Sequence, residues 1–344
     1  MTPSLGSEAD HRGRLAALRG CAAACGRVRW AATAAATALV AIPLALDLIW
    51  LAGQSVARVV VLGQTLAVPV HAVGVVAAGL ALLAMPGWWR RSLLAASAVS
   101  LIIGAGLMIG DLGGGERPGR TALTVYAANL GLFRGDISAN VAEAVRADAD
   151  VAVFQEVTPD YLEQLRVGLG GRYAEVVAAP RHDALGAAMF ARVEVRSSAI
   201  RMIDGSPTPS ADAVAADGTV VRVIGVHTTP PFFGLPTWQR QHRELAALAN
   251  EAERVVIAGD FNAIGRLQPM RNLVADAGLR DAHREVGVGL GLTWPDDGLG
   301  PVPLPSPVAR LDRVLFRGIQ PLSLEVRPAA GSDHRALLVR FATE

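Results

Sequence analysis

Three apolar runs within the first 110 residues constrain this chain more than any other feature. Residues 31–52 read AATAAATALVAIPLALDLIWLA. At about 1.5 Å per residue, a helix of that length crosses a hydrocarbon layer of about 30 Å. Two more runs occupy about 65–86 (TLAVPVHAVGVVAAGLALLAMP) and 92–110 (SLLAASAVSLIIGAGLMIG). A cleaved signal peptide explains the first run less well, because its apolar core ordinarily covers only about 7–15 residues. Residues 1–110 are therefore expected to be an amino-terminal tail followed by three transmembrane helices.

Charge orients that arrangement. Arg12, Arg14, Arg19, Arg27 and Arg29 precede the first run, and Arg90 and Arg91 lie between the second and third, beside Trp88 and Trp89. The loop after the first run carries only Arg58. Arginine collects on the cytoplasmic side and tryptophan at the headgroup level. The expectation is a multi-pass protein of the plasma membrane, with its amino terminus in the cytoplasm and everything after Gly110 outside. Asp47 near one end of the first run is tolerable there, since an ionisable group costs most at mid-membrane. His71 in the second run is either a functional intramembrane group or a polar helix-packing residue beside Pro69, and the second reading is adopted. Cys21 and Cys25 have no partners at a metal-knuckle spacing, and the rest of the chain has no cysteine.

Residues 111–120, with Gly113, Gly114, Gly115, Pro118 and Gly119, read as a flexible linker. From 121 to 344 short β-rich runs alternate with helical stretches, which implies an α/β domain. The strands are expected at Leu123–Ala128, Val151–Gln155, Gly186–Phe190, Val220–His227, Arg254–Ala258, Leu311–Phe316 and Ala336–Phe341. The helices are expected at Ile137–Ala147, after Thr158 with Pro159 in the first position, at Thr237–Ala252 and at Leu267–Ala277.

Polar residues stand where these strands end, which is where α/β folds place their sites. Asn129 ends the first strand and Gln155-Glu156 the second. His227-Thr228 ends the fourth, and Gly259-Asp260-Phe261-Asn262 the fifth. Asp312 lies within the sixth, and Ser332-Asp333-His334 precedes the last. One such residue alone is commonly a cap or a structural histidine. Together they supply oxygen ligands, imidazoles and carboxamide donors, a set suited to a hard cation and a phosphate.

In that order, Asn129-Leu130, Phe154-Gln155-Glu156-Val157, His227-Thr228, Gly259-Asp260-Phe261-Asn262-Ala263, Leu311-Asp312 and Ser332-Asp333-His334 resemble the endonuclease/exonuclease/phosphatase superfamily. The resemblance spans residues 121–344 and implies a four-layer α/β/β/α sandwich with one site across the sheet edges. It implies Glu156 as the main ligand of Mg²⁺ (or Mn²⁺), helped by Asn129 and Asp312. Asp260 then orients or deprotonates the attacking water, and Asn262 donates to a phosphate oxygen. His334, steered by Asp333, contacts the scissile phosphate or moves a proton. His227 is the second imidazole, beside the phosphate and a candidate acid for the leaving oxygen. Asp136 is read as a helix cap rather than a ligand. A second metal site is doubtful, because Leu130 and Gly131 follow Asn129 where some members of the superfamily carry an acid.

The substrate is narrowed by three observations. Residues 1–110 carry a net charge of about +5 and the remainder about −4, with no lysine and no dense arginine run. Nucleic-acid binding leans on clustered positive charge, so a nucleic-acid partner is disfavoured. The short linker favours substrates at a membrane surface. The apolar segment Thr229–Trp238 is either a plain connecting loop or a wall for a lipid tail. Three amino-terminal spans before such a domain also resemble the membrane-anchored, teicoplanin-resistance subgroup of that superfamily, which implies hydrolysis of a polyprenyl (undecaprenyl) pyrophosphate. The alternatives are a phospholipid or sphingomyelin phosphodiesterase, a membrane-tethered nuclease and a non-catalytic membrane scaffold.

Overall fold

The computed structural model describes residues 6–52, 57–84, 87–297 and 307–343. The chain forms two compact units, Met1–Leu48 with Ala67–Ala105, and Ile49–Leu66 with Gly106–Glu344.

Four helices open the chain: α1 (Gly6–Leu51), α2 (Arg58–Thr65), α3 (Ala67–Ala84) and α4 (Gly87–Ile109). Among the described residues, Gly26–Ile49 is long and apolar enough to cross a membrane. The second expected run holds α3, which forms a bent pair with α2 across Leu66. Arg91–Gly106 is apolar but shorter. Among the described residues, length and composition thus give one candidate span, or two if the bent pair is one broken span, where three were expected.

Within the first unit, His71 is not a lone packing residue. Its Nε2 lies 3.1 Å from Asp47 Oδ2, which also accepts from Ser100 Oγ at 3.0 Å. All three are buried, so one polar cluster links α1, α3 and α4. Such a cluster fixes helix register, because each group has its partner only in one packing arrangement.

The second unit continues through β1 (Leu123–Asn129), α5 (Ile137–Ala147), β2 (Val151–Gln155), α6 (Pro159–Leu169), β3 (Ala174–Ala179), β4 (Ala187–Ala191), β5 (Val195–Ile203) and β6 (Ser206–Val214). Then come β7 (Val220–His227), α7 (Pro231–Ala249), β8 (Val255–Asp260), α8 (Gln268–Asp276), β9 (Arg280–Asp281), α9 (Ala282–Val286), β10 (Asp312–Arg317), β11 (Gln320–Arg327) and β12 (Ala336–Ala342). One sheet runs β11-β12-β1-β2-β4-β3 and the other β5-β6-β7-β8-β10-β9.

Alternation along the strands builds the layers, because successive side chains point to opposite faces. Val125, Val151 and Val153 of the first sheet pack with Val221, Val223, Val256 and Val314 of the second, forming the core between the sheets. The intervening residues Tyr126, Ala152 and Phe154 pack outward with Ala144 and Leu165 of α5 and α6. On the other side, Ile224 and Ile257 pack with Trp238 and Leu245 of α7 and Leu273 of α8. The domain is a mixed α/β sandwich of two sheets with helices on both outer faces. Side-chain caps start α5 and α6, where Asp136 Oδ1 accepts from Ala139 N at 3.0 Å and Thr158 Oγ1 from Tyr161 N at 3.1 Å. Asp136 therefore acts as a cap.

Two local expectations change. Thr229–Trp238 is not a plain loop, since α7 begins at Pro231 and is kinked at Gly234, two residues before Pro236. The glycine segment after α4 is held rather than flexible. Gly113 N donates to Gly289 O at 3.0 Å and Gly115 N to Gly287 O at 3.1 Å. A Cβ on Gly113 would lie 2.0 Å from the Gly287 carbonyl oxygen, so this close backbone pairing requires glycine.

Beside that segment, Arg313 Nη1 meets Asp281 Oδ2 at 2.5 Å and Arg310 Nη1 meets Asp281 Oδ1 at 3.2 Å. Asp111 completes the group with Arg284 at 2.7 Å. Burial and the neighbouring Arg310 push the Arg313 guanidinium down to about 10, against the pull of Asp281 and Asp111. Arg313 Nε also donates to Ala263 O at 3.2 Å, which ties this network to the loop after β8.

Asp281→Ala removes the carboxylate shared by two buried guanidinium groups, and a loss of roughly 3–5 kcal/mol is expected. An unchanged urea midpoint would show that the network is not structural. A second expectation concerns acid. His242 is wholly buried and neutral, its pKa lowered from 6.5 to about 4 by burial. Because the folded value lies below the unfolded one, its contribution is intact above pH 6.5 and is lost as pH falls toward 4. The thermal midpoint should fall through that window, and less so in His242→Leu.

Candidate active site

The second unit's strand register brings the polar strand ends together. His227 on β7 is paired with Asp260 on parallel β8, and Asp312 on antiparallel β10 is paired with the same Asp260. In the other sheet Asn129 on β1 is paired with Gln155 on β2. The core between the sheets sets these two edges side by side.

Asp260 is the meeting point. Its Oδ2 lies 3.3 Å from Asn129 Nδ2, 3.5 Å from His227 Nε2, 3.3 Å from Asn262 Nδ2 and 3.7 Å from His334 Nε2. Glu156 joins through Asn129 Nδ2 at 3.1 Å and stands 4.0 Å from His227 Nε2. Its other carboxylate oxygen accepts from the backbone N–H of Leu132. Seven of the residues expected from sequence, Asn129, Glu156, His227, Asp260, Asn262, Asp312 and His334, thus converge on one site.

The backbone there is unusual in a way that fits a built site. Glu156 has φ of 59° and Asn262 φ of 46°, both in the left-handed region that side chains disfavour. At Glu156 the positive φ lets the chain turn straight out of β2 while its carboxylate faces the site. Gly259 has φ of 139°, and a Cβ there would lie 2.2 Å from Val226 O. Only glycine lets β8 approach β7 this closely just before Asp260.

Several expected roles are redistributed. His334 is oriented by Asp312, whose Oδ2 meets Nδ1 at 2.8 Å. Asp333, the neighbour in sequence, accepts instead from Trp294 Nε1 at 3.1 Å. Asn129 turns its NH₂ toward Glu156 and Asp260, while its Oδ1 accepts from Gly131 N at 3.0 Å, so its oxygen does not face the acids. The Asn262 amide donates to Thr228 O at 2.8 Å and faces Asp260, so its hydrogens already meet protein oxygens.

The electrostatics follow from crowding. Burial and the nearby Asp312 raise the pKa of Asp260, partly offset by His334 and His227. Burial opposes a charge on His334, but Asp312 and Asp260 outweigh it and lift the imidazole to about 10. Packed carboxylates of this kind need positive charge, from protonated imidazole or from a cation. Asp260, Asp312 and His334 each offer a ligand atom within 4.8 Å of the others. Oxygen and imidazole donors so grouped fit a divalent ion, with Glu156 and Asn129 adjoining.

These groups open into a cleft of about 340 Å³. Its walls include residues that the sequence did not single out. Trp294 and Ala184 belong to loops with no motif around them, and Leu62 belongs to α2. Thr293 acts from behind, its buried Oγ1 accepting from both Leu311 N and Asp312 N at 3.2 Å.

The fold has many solved relatives. An endonuclease/exonuclease/phosphatase family protein of Bacteroides thetaiotaomicron superposes with a TM-score of 0.55 at 15% identity, over 66% of this chain and 100% of that one. The D. rerio TDP2 complexed with single-strand DNA product gives 0.54 at 18%, over 65% and 100%. The B. thetaiotaomicron mannosyl-6-phosphatase Bt3783 gives 0.53 at 16%, over 64% and 100%. Among curated proteins none matches the sequence. Residues 127–334 match the Endonuclease/Exonuclease/phosphatase family, running from β1 to His334 and enclosing every group of the site, and the chain belongs to that family.

Proposed function

We propose that this protein is a divalent-metal-dependent phosphohydrolase that cleaves a lipid-linked pyrophosphate, of the polyprenyl (undecaprenyl) type, at the outer face of the plasma membrane. The observation that carries the reading is a cleft with two kinds of wall. Glu156, Asp260, His227 and His334 line it together with Leu62, Pro230, Pro231, Phe232 and Phe233. Hydrolase chemistry agrees with the family, whose members are generally phosphoester hydrolases that use divalent metals. The apolar residues favour a substrate with a hydrocarbon part over a polynucleotide, whose recognition needs clustered positive charge.

Mg²⁺ or Mn²⁺ would be held by Glu156 with Asp260 or Asp312, supplying charge stabilisation and a more acidic bound water. Asp260 is placed to take the proton of an attacking water. His334, turned by Asp312, presents Nε2 toward Asp260, where it would contact the reacting phosphate. His227 Nε2 stands 4.0 Å from Glu156 and 3.5 Å from Asp260, where its imidazole would serve the leaving oxygen as a proton donor. The Asp312–His334 pair follows the logic of a carboxylate that fixes a histidine's tautomer and favours its cationic form.

In this reading the apolar helices anchor the chain with its amino terminus inside, and the Gly26–Ile49 stretch is the strongest support for an anchor. An outward-facing lipid-pyrophosphatase would act on the cell-wall lipid carrier, consistent with a role in teicoplanin-type resistance.

The decisive assay offers undecaprenyl pyrophosphate, sphingomyelin and plasmid DNA to the detergent-purified chain, each with Mg²⁺ and with chelator. Phosphate release from the first alone, abolished by chelator, is expected; nicking of DNA would overturn the proposal. Asp260→Asn and His334→Ala should each lower kcat by about 10²–10⁴, whereas wild-type rates in both would favour a scaffold. Topology has its own test, because Cys21 and Cys25 are the only thiols. An impermeant maleimide should spare them in intact cells and label them after lysis. Labelling of intact cells would reverse the orientation.

A further inference from the structure

The helix that follows the first apolar run along the chain belongs to the catalytic unit. Val61 of α2 is 1% exposed and sits in the same core cluster as Leu235, Trp238 and Phe261. That anchor turns Arg58, Leu62 and Thr65 into the wall of the cleft that holds Glu156, His227, Asp260 and His334. Along the chain, only Leu66 separates α2 from α3, the second apolar helix.

The rim of this cleft is apolar and open. Leu62 is 43% exposed on α2, and Phe232 is 57% and Phe233 78% exposed at the start of α7. The two phenylalanine rings make an edge-to-face pair, 5.9 Å between centroids. Large apolar side chains gathered at the mouth of a polar site mark a binding surface, because water gains nothing by contact with them. A small hydrophilic phosphate ester gives such a rim no role. Arg58 adds the complementary charge, since it is the one arginine among the described residues lining the cleft.

We propose that α2 and the Phe232–Phe233 turn form a portal that receives the hydrocarbon chain of a lipid phosphate ester, with Arg58 facing the phosphate group distal to the reacting one. The proposal deepens the hydrolase reading and rests on it for the position of the reacting phosphate. The portal explains why a segment between two apolar helices is built into a catalytic domain. It also gives the Thr229–Trp238 segment its function, because the kink at Gly234 sets Phe232 and Phe233 apart from the buried Leu235 and Trp238.

The test uses the full chain in detergent and a farnesyl pyrophosphate analogue carrying a diazirine on its hydrocarbon chain. Irradiation should place the label on peptides covering 58–65 and 230–238. Leu62→Gln and the double variant Phe232→Ser/Phe233→Ser should each lower labelling roughly tenfold. All three positions are exposed, so the variants should fold, and their thermal midpoints will verify this. Arg58→Gln should weaken the pyrophosphate analogue about tenfold more than the corresponding monophosphate. Label elsewhere on the chain, or labelling unaffected by both apolar variants, would overturn the portal, and equal weakening of both analogues would remove Arg58 from it. Phosphate release from unmodified farnesyl pyrophosphate is measured in parallel. Labelling at the portal without hydrolysis keeps the portal and rejects the pyrophosphatase, whereas hydrolysis without portal labelling does the reverse.

Discussion

One carboxylate oxygen organises this protein's chemistry. Asp260 Oδ2 is approached by Asn129, His227, Asn262 and His334, which reach it from both sheets and from the loop before β12. A buried carboxylate is stable only when its charge is answered, and here two imidazoles and two amides answer it. Their convergence depends on the valine-rich layer between the sheets, which fixes where the sheet edges meet. Any slip of one sheet past the other would take Asn129 and His334 away from Asp260, and His334 away from Asp312.

The rest of the domain can be understood as support for that point. Glu156 and Asn262 hold left-handed backbone conformations that cost free energy and persist because the surrounding strands fix them. Asp312 serves twice, as the partner of His334 and as a neighbour that raises the pKa of Asp260. Immediately after it in the chain, Arg313 turns away to the other side of β10 and reaches the Ala263 carbonyl. Adjacent residues on one strand thus serve the site on one face and hold its loop from the other, a direct consequence of strand alternation.

Much of the fold was legible in the sequence because the central strands are buried on both faces and read as apolar runs. β2 and β7 match their expected limits, and α5 matches with its cap at Asp136. The strands that were not anticipated are less regular. β5 is an edge strand whose residues 196–202 are exposed, so no burial pattern marks it. β6 contains Pro207 and Pro209, which read as a breaker. They are accommodated because pairing of β6 with β7 begins only at Ser210, leaving no partner on that side for the missing N–H groups.

The sequence by itself determined the chemical inventory and the order of polar strand ends. Those are properties of composition and periodicity, and local physics is enough to read them. Tertiary structure decided which groups touch. It gave His334 to Asp312 across the sheet rather than to Asp333 beside it, turned the Asn129 amide inward, pinned the glycine segment and added α2 to the wall of the cleft. The reason is that contacts between distant residues depend on strand register and layer packing, and no local stretch of chain contains either.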